Sequence, residues 1–317
     1  SVKDIFLTLA KKQNYLRNFL ILLAFYNAVI IGISWDENYY KILGEINLKY
    51  LFSLGQIDTD YYSKFRYSTI YWSLTSLLSQ VSPNEFKDEA FHIINTFFGL
   101  GVLIGLYKVS KKIFNLNIAK ISVIFLLLTP FYFGHLAINN KDIILALCHI
   151  WILYYCLKYN SKNYFFKERA KICFKIALFA AIGTGIQLLF IGSLITVILF
   201  FVYDYIFIKK RIIKKLLIDF IIFCVLFYLL LILFWVDVHN NIFILPFEFF
   251  VKSLSLEVGW PFNVLNGEYF SSSKPPSSYI VKNILYKLPE FLIFLYLVFI
   301  LILFFDFRNT SKKFLNF

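Results

Sequence analysis

Apolar residues run along this chain in long unbroken stretches, without the alternation or one-sided spacing of water-soluble strands and helices. Phe220–Trp235 and Phe291–Phe305 present no polar face to water. A segment of that kind is stable as a helix in lipid, where it satisfies its own backbone hydrogen bonds. The pattern predicts an all-α integral membrane protein of about eight transmembrane helices near the usual 20 residues each. The predicted spans are 18–34, 90–107, 118–133, 143–157, a pair within 176–208, 216–235 and 289–305. The stretch 176–208 is too long for one ordinary span, and both of its ends are basic. Gly183-Thr184-Gly185 is the expected break between its two helices. A single polytopic transmembrane domain, 1–317, accounts for the chain.

Two outer loops break the monotony. In the first, Tyr39–Leu54 has apolar residues near helical spacing with charges between them, and Ile70–Leu78 carries Tyr71 and Trp72. Both read as interfacial helices, the aromatics serving as anchors at the headgroup level. In the last, 236–288, Gly259, Pro261, Gly267, Pro275 and Pro276 predict mostly irregular structure. Gly101-x-x-x-Gly105 lies inside a span and predicts close helix packing.

Charge orients the bundle. Lys11, Lys12 and Arg17, then Lys108, Lys111 and Lys112, then Lys158–Lys171, then Lys209–Lys215, then Arg308, Lys312 and Lys313 all fall on one side under this span count. Loops rich in Lys and Arg stay in the cytoplasm. The expectation is an integral membrane protein with a cytoplasmic N-terminus and its two long loops on the outer side. Composition agrees: 60% of residues are hydrophobic and 16% charged, against about a quarter charged in soluble domains. The net charge of +13 does not mark a nucleic-acid binder, because the cations sit at span ends and not on one face of a domain. The first apolar run leads into Ser34-Trp35-Asp36-Glu37 with no small-x-small cleavage site. The sequence lacks Met, so processing or a longer parent chain is expected. Cys148, Cys156, Cys173 and Cys224 lie in or beside spans without a C-x-x-C pair and read as buried thiols.

Candidate chemistry gathers on the outer side. Asp36 and Glu37 follow the first span directly, and a carboxylate there is either a general base within reach of headgroups or a solvated helix end. The short link Gly134–Asp142 is polar. Lys141 can hold a phosphate as a point charge. Asp142 can orient an acceptor, bind a cation or cap the next helix. In the last loop, Trp260 and Tyr279 can stack on a sugar ring or anchor at the interface. Arg66 and Lys64 in the first loop can pair with phosphate. His92, His149 and His239 are scattered and make no zinc spacing. Asp204 and Asp219, near basic span ends, are expected to snorkel or to pair with neighbouring lysines.

Together these sites resemble the GT-C superfamily of membrane glycosyltransferases, similar to bacterial relatives of the protein O-mannosyltransferases and of the aminoarabinose lipid A transferase. Asp36-Glu37 matches the acidic pair after the first span. Phe133-Gly134-His135-Leu136-Ala137-Ile138-Asn139-Asn140-Lys141-Asp142 is similar to a F-G-H-x-x-x-N-P-K-D phrase, with Asn140 where proline is usual. Asn266-Gly267-Glu268 and Pro275-Pro276-Ser277-Ser278-Tyr279 are similar to a later outer-loop phrase that lacks its tryptophan here. Gln187 stands where arginine is often found. Family members are often longer, so further C-terminal spans are expected.

The resemblance implies transfer of a sugar from a polyprenyl-phosphate donor, with inversion, to a glycan, lipid or protein acceptor, at a periplasmic active site in a bacterial inner membrane. Asp36 and Glu37 would be catalytic. Lys141 and Arg66 would hold the donor phosphate. His135, Asn139, Asp142, Trp260, Glu268 and Tyr279 would contact acceptor, sugar or a divalent cation, Mg or Mn, which some relatives use. Two rivals are a flippase or transporter of lipid-linked saccharides and an inactive lipid-binding scaffold. A transporter would carry charges mid-span, where this sequence has few.

Overall fold

The computed structural model describes residues 2–34, 36–56, 68–254 and 261–305. Its elements are α1 (Val2–Ile30), α2 (Glu37–Phe52), α3 (Ile70–Ser79), α4 (Lys87–Ile113), α5 (Leu116–Leu127), α6 (Pro130–Ile138), α7 (Asp142–Ser161), α8 (Phe166–Ile186), α9 (Phe190–Ser193), α10 (Ile195–Tyr203), α11 (Ile213–Leu233) and α12 (Leu245–Leu254). The hairpin β1 (Phe262–Leu265) and β2 (Glu268–Ser271) follows, then α13 (Tyr279–Lys287) and α14 (Glu290–Phe305). Among the described residues, four helical segments are long and apolar enough to cross a membrane: 84–113, 142–161, 190–208 and 213–233. The count rises to six if the bent pairs α5/α6 and α13/α14 are each one span.

α7 and α8 run antiparallel, whereas α4 runs parallel to α7 and α8 parallel to α11, the chain crossing back within each parallel pair, so residues gather at two ends of a bundle. α4 packs on α7, α7 on α8 and α8 on α11. Gly101 and Gly105 face α7, and Trp151 Nε1 donates to the Gly101 carbonyl at 3.0 Å. The main core lies between these helices, around Leu103, Leu127, Leu136, Ile144, Cys148 and Ile152. At one end, the chain turns of 108–116, 158–166 and 204–213 gather Lys108, Lys111, Lys112, Lys158, Lys162, Lys209 and Lys210. Here Asp219 is buried against Arg169 (Nε to Oδ2, 2.6 Å) and Tyr159 (2.5 Å), and Asp204 accepts from Asn160 at 2.7 Å. The partners are an arginine, a tyrosine and an amide, in place of the expected lysines, because only groups on facing helices reach so far inside. At the other end lie the α1–α2 turn, the start of α4 and the α6–α7 link.

Several local expectations change. The break near the middle of 176–208 falls at 187–189 and not at Gly183-Thr184-Gly185, which stay helical within α8. The glycines instead permit contact: a Cβ at Gly183 would meet the Phe190 ring at 2.4 Å, and one at Gly185 the Ser68 carbonyl at 2.8 Å. The third predicted span is bent by 71° between α5 and α6, where Pro130 opens a new helix without a backbone N–H to give. Tyr71 and Trp72 are core residues, 2% and 1% exposed, and not interfacial anchors; Trp72 stacks on Tyr40 at 4.3 Å. The last outer loop holds an antiparallel hairpin closed by Asn266 and Gly267 at φ +55° and +82°, the two-residue turn that Asn-Gly favours.

Candidate active site

Asp36 and Glu37 are neighbours with opposite fates. The chain leaves α1 at Ile30 and enters α2 at Glu37, with Asp36 at the N-cap position. The positive end of the helix dipole favours carboxylates there. Asp36 is exposed, and its side chain makes no hydrogen bond among the described residues. Glu37 is only 3% exposed. Its Oε1 lies 2.8 Å from His92 Nε2, and its Oε2 accepts the Ser34 N–H at 2.5 Å. His92 is buried too, with Nδ1 3.2 Å from the Ala28 carbonyl oxygen. A carbonyl only accepts, so Nδ1 carries hydrogen. His92 Nε2 then faces the Glu37 carboxylate as its ion-pair partner. The pair fixes the α1–α2 turn to α4 at both ends of the imidazole.

One turn along α4, on the same face, Asn95 performs a second tethering. Its Oδ1 accepts the Tyr71 hydroxyl at 2.5 Å, and its Nδ2 donates to the carbonyls of Leu136 (2.9 Å) and Asn139 (3.1 Å). Burial first, and the Glu37 charge second, hold the Tyr71 phenol well above its usual range, so it remains a donor. α4 therefore carries the acidic turn on His92 and the α6–α7 link on Asn95.

Within that link Lys141, not Asp142, stands at the N-cap of α7, and Asn139 Oδ1 ties the turn into the helix by accepting the N–H groups of Lys141 (3.1 Å) and Asp142 (2.7 Å). Asn139 Nδ2 donates to Asp142 Oδ2 at 3.0 Å and lies 3.3 Å from His135 Nδ1. Lys141 is half-buried at the start of α7. A divalent hard cation needs about six oxygen ligands. The link does not fit one, since the Asn139 oxygen is already engaged and only Asp142 brings charge. No group of three or more His, Cys, Asp or Glu side chains converges among the described residues.

The remaining sites stand apart. Arg66, Lys64 and Trp260 lie outside the described residues. Glu268 is exposed on β2, and Tyr279 packs edge-on against Phe270 at 5.3 Å. Neither is joined by a hydrogen bond or ion pair to Asp36, Glu37 or the 139–142 link among the described residues. Their unit leans on α5 and α6, through Phe291 on Phe125 and Lys287 over Phe131.

Sequence patterns missed His92, Asn95 and Tyr71. The phase of His92 and Asn95, three apart on one helix face, is the only signal that pointed to them. Asp237 was missed as well. It follows α11, whose end is tied to 68–69 by Ser68 Oγ donating to the Leu231 carbonyl (2.9 Å) and Thr69 N to that of Phe234 (3.0 Å). Burial pushes the Asp237 carboxyl up to about 7, and its Oδ2 has no hydrogen-bond partner among the described residues.

No curated protein and no solved structure matches the chain. A family model described as dolichyl-phosphate-mannose-protein mannosyltransferase matches residues 70–236. That stretch begins after Asp36 and Glu37 and takes in His92, Asn95 and the 139–142 link. With more than half of its length matched and its apolar helices, the chain belongs to the dolichyl-phosphate-mannose-protein mannosyltransferase family, membrane glycosyltransferases of the GT-C superfamily.

Proposed function

We propose that this protein moves a sugar from a polyprenyl-phosphate donor to an acceptor hydroxyl at the outer membrane face, with inversion at the anomeric carbon. The proposal keeps about eight spans, with α2 at the outer interface and the lysine-rich end in the cytoplasm. One observation carries the assignment of roles: of two adjacent carboxylates, Glu37 is locked on His92 and Ser34 while Asp36 is exposed beside it.

Asp36 takes the proton from the acceptor hydroxyl as its oxygen bonds to the anomeric carbon. The bond from that carbon to the phosphate oxygen breaks on the opposite face, and its electron pair leaves with the lipid phosphate. No general acid is needed, because the phosphate is already a good leaving group. Lys141 and Arg66 stabilise its growing charge, the main electrostatic contribution. Glu37 and His92 position Asp36 without touching substrate. Asn95 keeps Lys141 in register with it. The match to glycosyltransferases supports an enzyme over a flippase or scaffold.

Native mass spectrometry of the detergent-purified protein tests the donor class. Retained polyprenyl-phosphate, bound normally by Asp36→Asn and several-fold more weakly by Lys141→Ala, is the expected result. Retention of ordinary phospholipid alone, even after polyprenyl-phosphate is added, would refute it.

A further inference from the structure

A cleft of about 360 Å³ opens between α1, α4 and α5 at the lysine-rich end of the bundle, within the ~300–1,000 Å³ typical of small-molecule sites. Leu103, Ile104 and Val123 wall it, and Arg17, Lys120 and Tyr107 stand at its rim. Neither cation has a counter-charge among the described residues. Arg17 points Nε and Nη2 at the neutral Asn18 Oδ1 (3.1 and 2.9 Å), and Lys120 makes no ion pair. Both are half-buried. The rim lies fifteen positions along α4 from His92, about 22 Å along the helix axis, so the cleft is separate from the acidic turn.

Half-buried cations at the edge of a membrane helix bundle call for an anion. Inorganic phosphate would neutralise the rim and leave the apolar walls unmatched. A molecule anionic at one end and hydrocarbon along its length matches both. We infer that the cleft binds an anionic glycerophospholipid, its phosphate on Arg17 and Lys120 and one acyl chain along Leu103, Ile104 and Val123. This site belongs to the leaflet opposite the sugar-transfer site, and its occupancy is independent of transfer chemistry.

The test is native mass spectrometry of the delipidated full chain offered equal amounts of phosphatidylglycerol and phosphatidylcholine. The expected result is about thirtyfold preference for phosphatidylglycerol, lost in Arg17→Gln/Lys120→Gln, as two charges near a lipid surface imply. Lys111→Gln/Lys112→Gln removes equal charge from exposed positions of the same end and is expected to keep the preference. Ile104→Trp, which fills the cleft and leaves both cations, is expected to lose it. Equal binding of the two lipids, or a preference intact in Arg17→Gln/Lys120→Gln, overturns the site. Equal loss in Lys111→Gln/Lys112→Gln would reduce it to general surface charge. Displacement of phosphatidylglycerol by polyprenyl-phosphate would overturn the choice of lipid. Each variant is compared at matched melting temperature and elution, so that misfolding is recognised.

Discussion

A carboxylate that enters a helix bundle must find a partner, and Glu37 finds His92. Removing one member of a buried ion pair strands the other, at a cost of about 3–5 kcal/mol. His92→Ala is therefore expected to lower the melting temperature sharply and to depress transfer with it. Glu37→Gln/His92→Gln, neutral at both positions, should recover much of the stability. A His92→Ala protein melting like wild type would show that the pair holds nothing. Asp237 gives a different signature. Its carboxyl is raised by burial from the ordinary 3.8 to about 7, so between those values the folded state holds a proton that the unfolded state releases. Stability then falls as pH rises from about 4 to 7 and levels off above. Asp237→Asn should match wild type below pH 4 and melt higher above pH 7. Parallel melting curves for the two across that range would contradict this. Asp36 and Glu37 are legible as a pair in the sequence, whereas their division of labour is not. Burial depends on which helix face the α1–α2 turn meets, and His92 is distant in sequence.

Among the elements, the long helices are the most legible, because lipid demands unbroken apolar runs and tolerates few alternatives. The short ones are less so. α3 reads as an interfacial stretch from its aromatics, yet Tyr71, Trp72 and the serines around them are buried between α2, α4 and α8. A polar helix can be buried when its hydroxyls find partners, as Ser73 does with Asn47 at 2.8 Å. The α2–α3 contact is close enough that a Cβ at Gly44 would sit 2.3 Å from the Trp72 carbonyl oxygen and 2.4 Å from Ser76 Oγ. Gly44→Ala must push the helices apart, at about 1–3 kcal/mol, and α2 carries Asp36 at its start. A several-fold loss of transfer with a lowered melting temperature is expected; unchanged values in both assays would show that the helix pair adapts freely. The Asn266-Gly267 turn, in contrast, was readable from the dipeptide alone, and the prolines around it masked the signal.

For the whole molecule, the separation of charge explains the layout. Lysines collect at one end, where Arg17 and Lys120 border the lipid cleft, while the acidic turn, Asn95 and the 139–142 link meet at the other. A linear pattern shows which residues share an end, because each span reverses direction. It does not show which of them touch, since that depends on helix rotation. The central claim is that Asp36 is the base for sugar transfer from a polyprenyl-phosphate donor. Its most direct test is consumption of polyprenyl-phosphate-mannose by the purified protein in lipid vesicles, with a total membrane fraction supplying acceptors, for wild type and Asp36→Asn side by side. The account predicts donor consumption by wild type and a loss of about 10²–10⁴-fold in the variant, with donor still bound. Consumption at the wild-type rate by Asp36→Asn would contradict it.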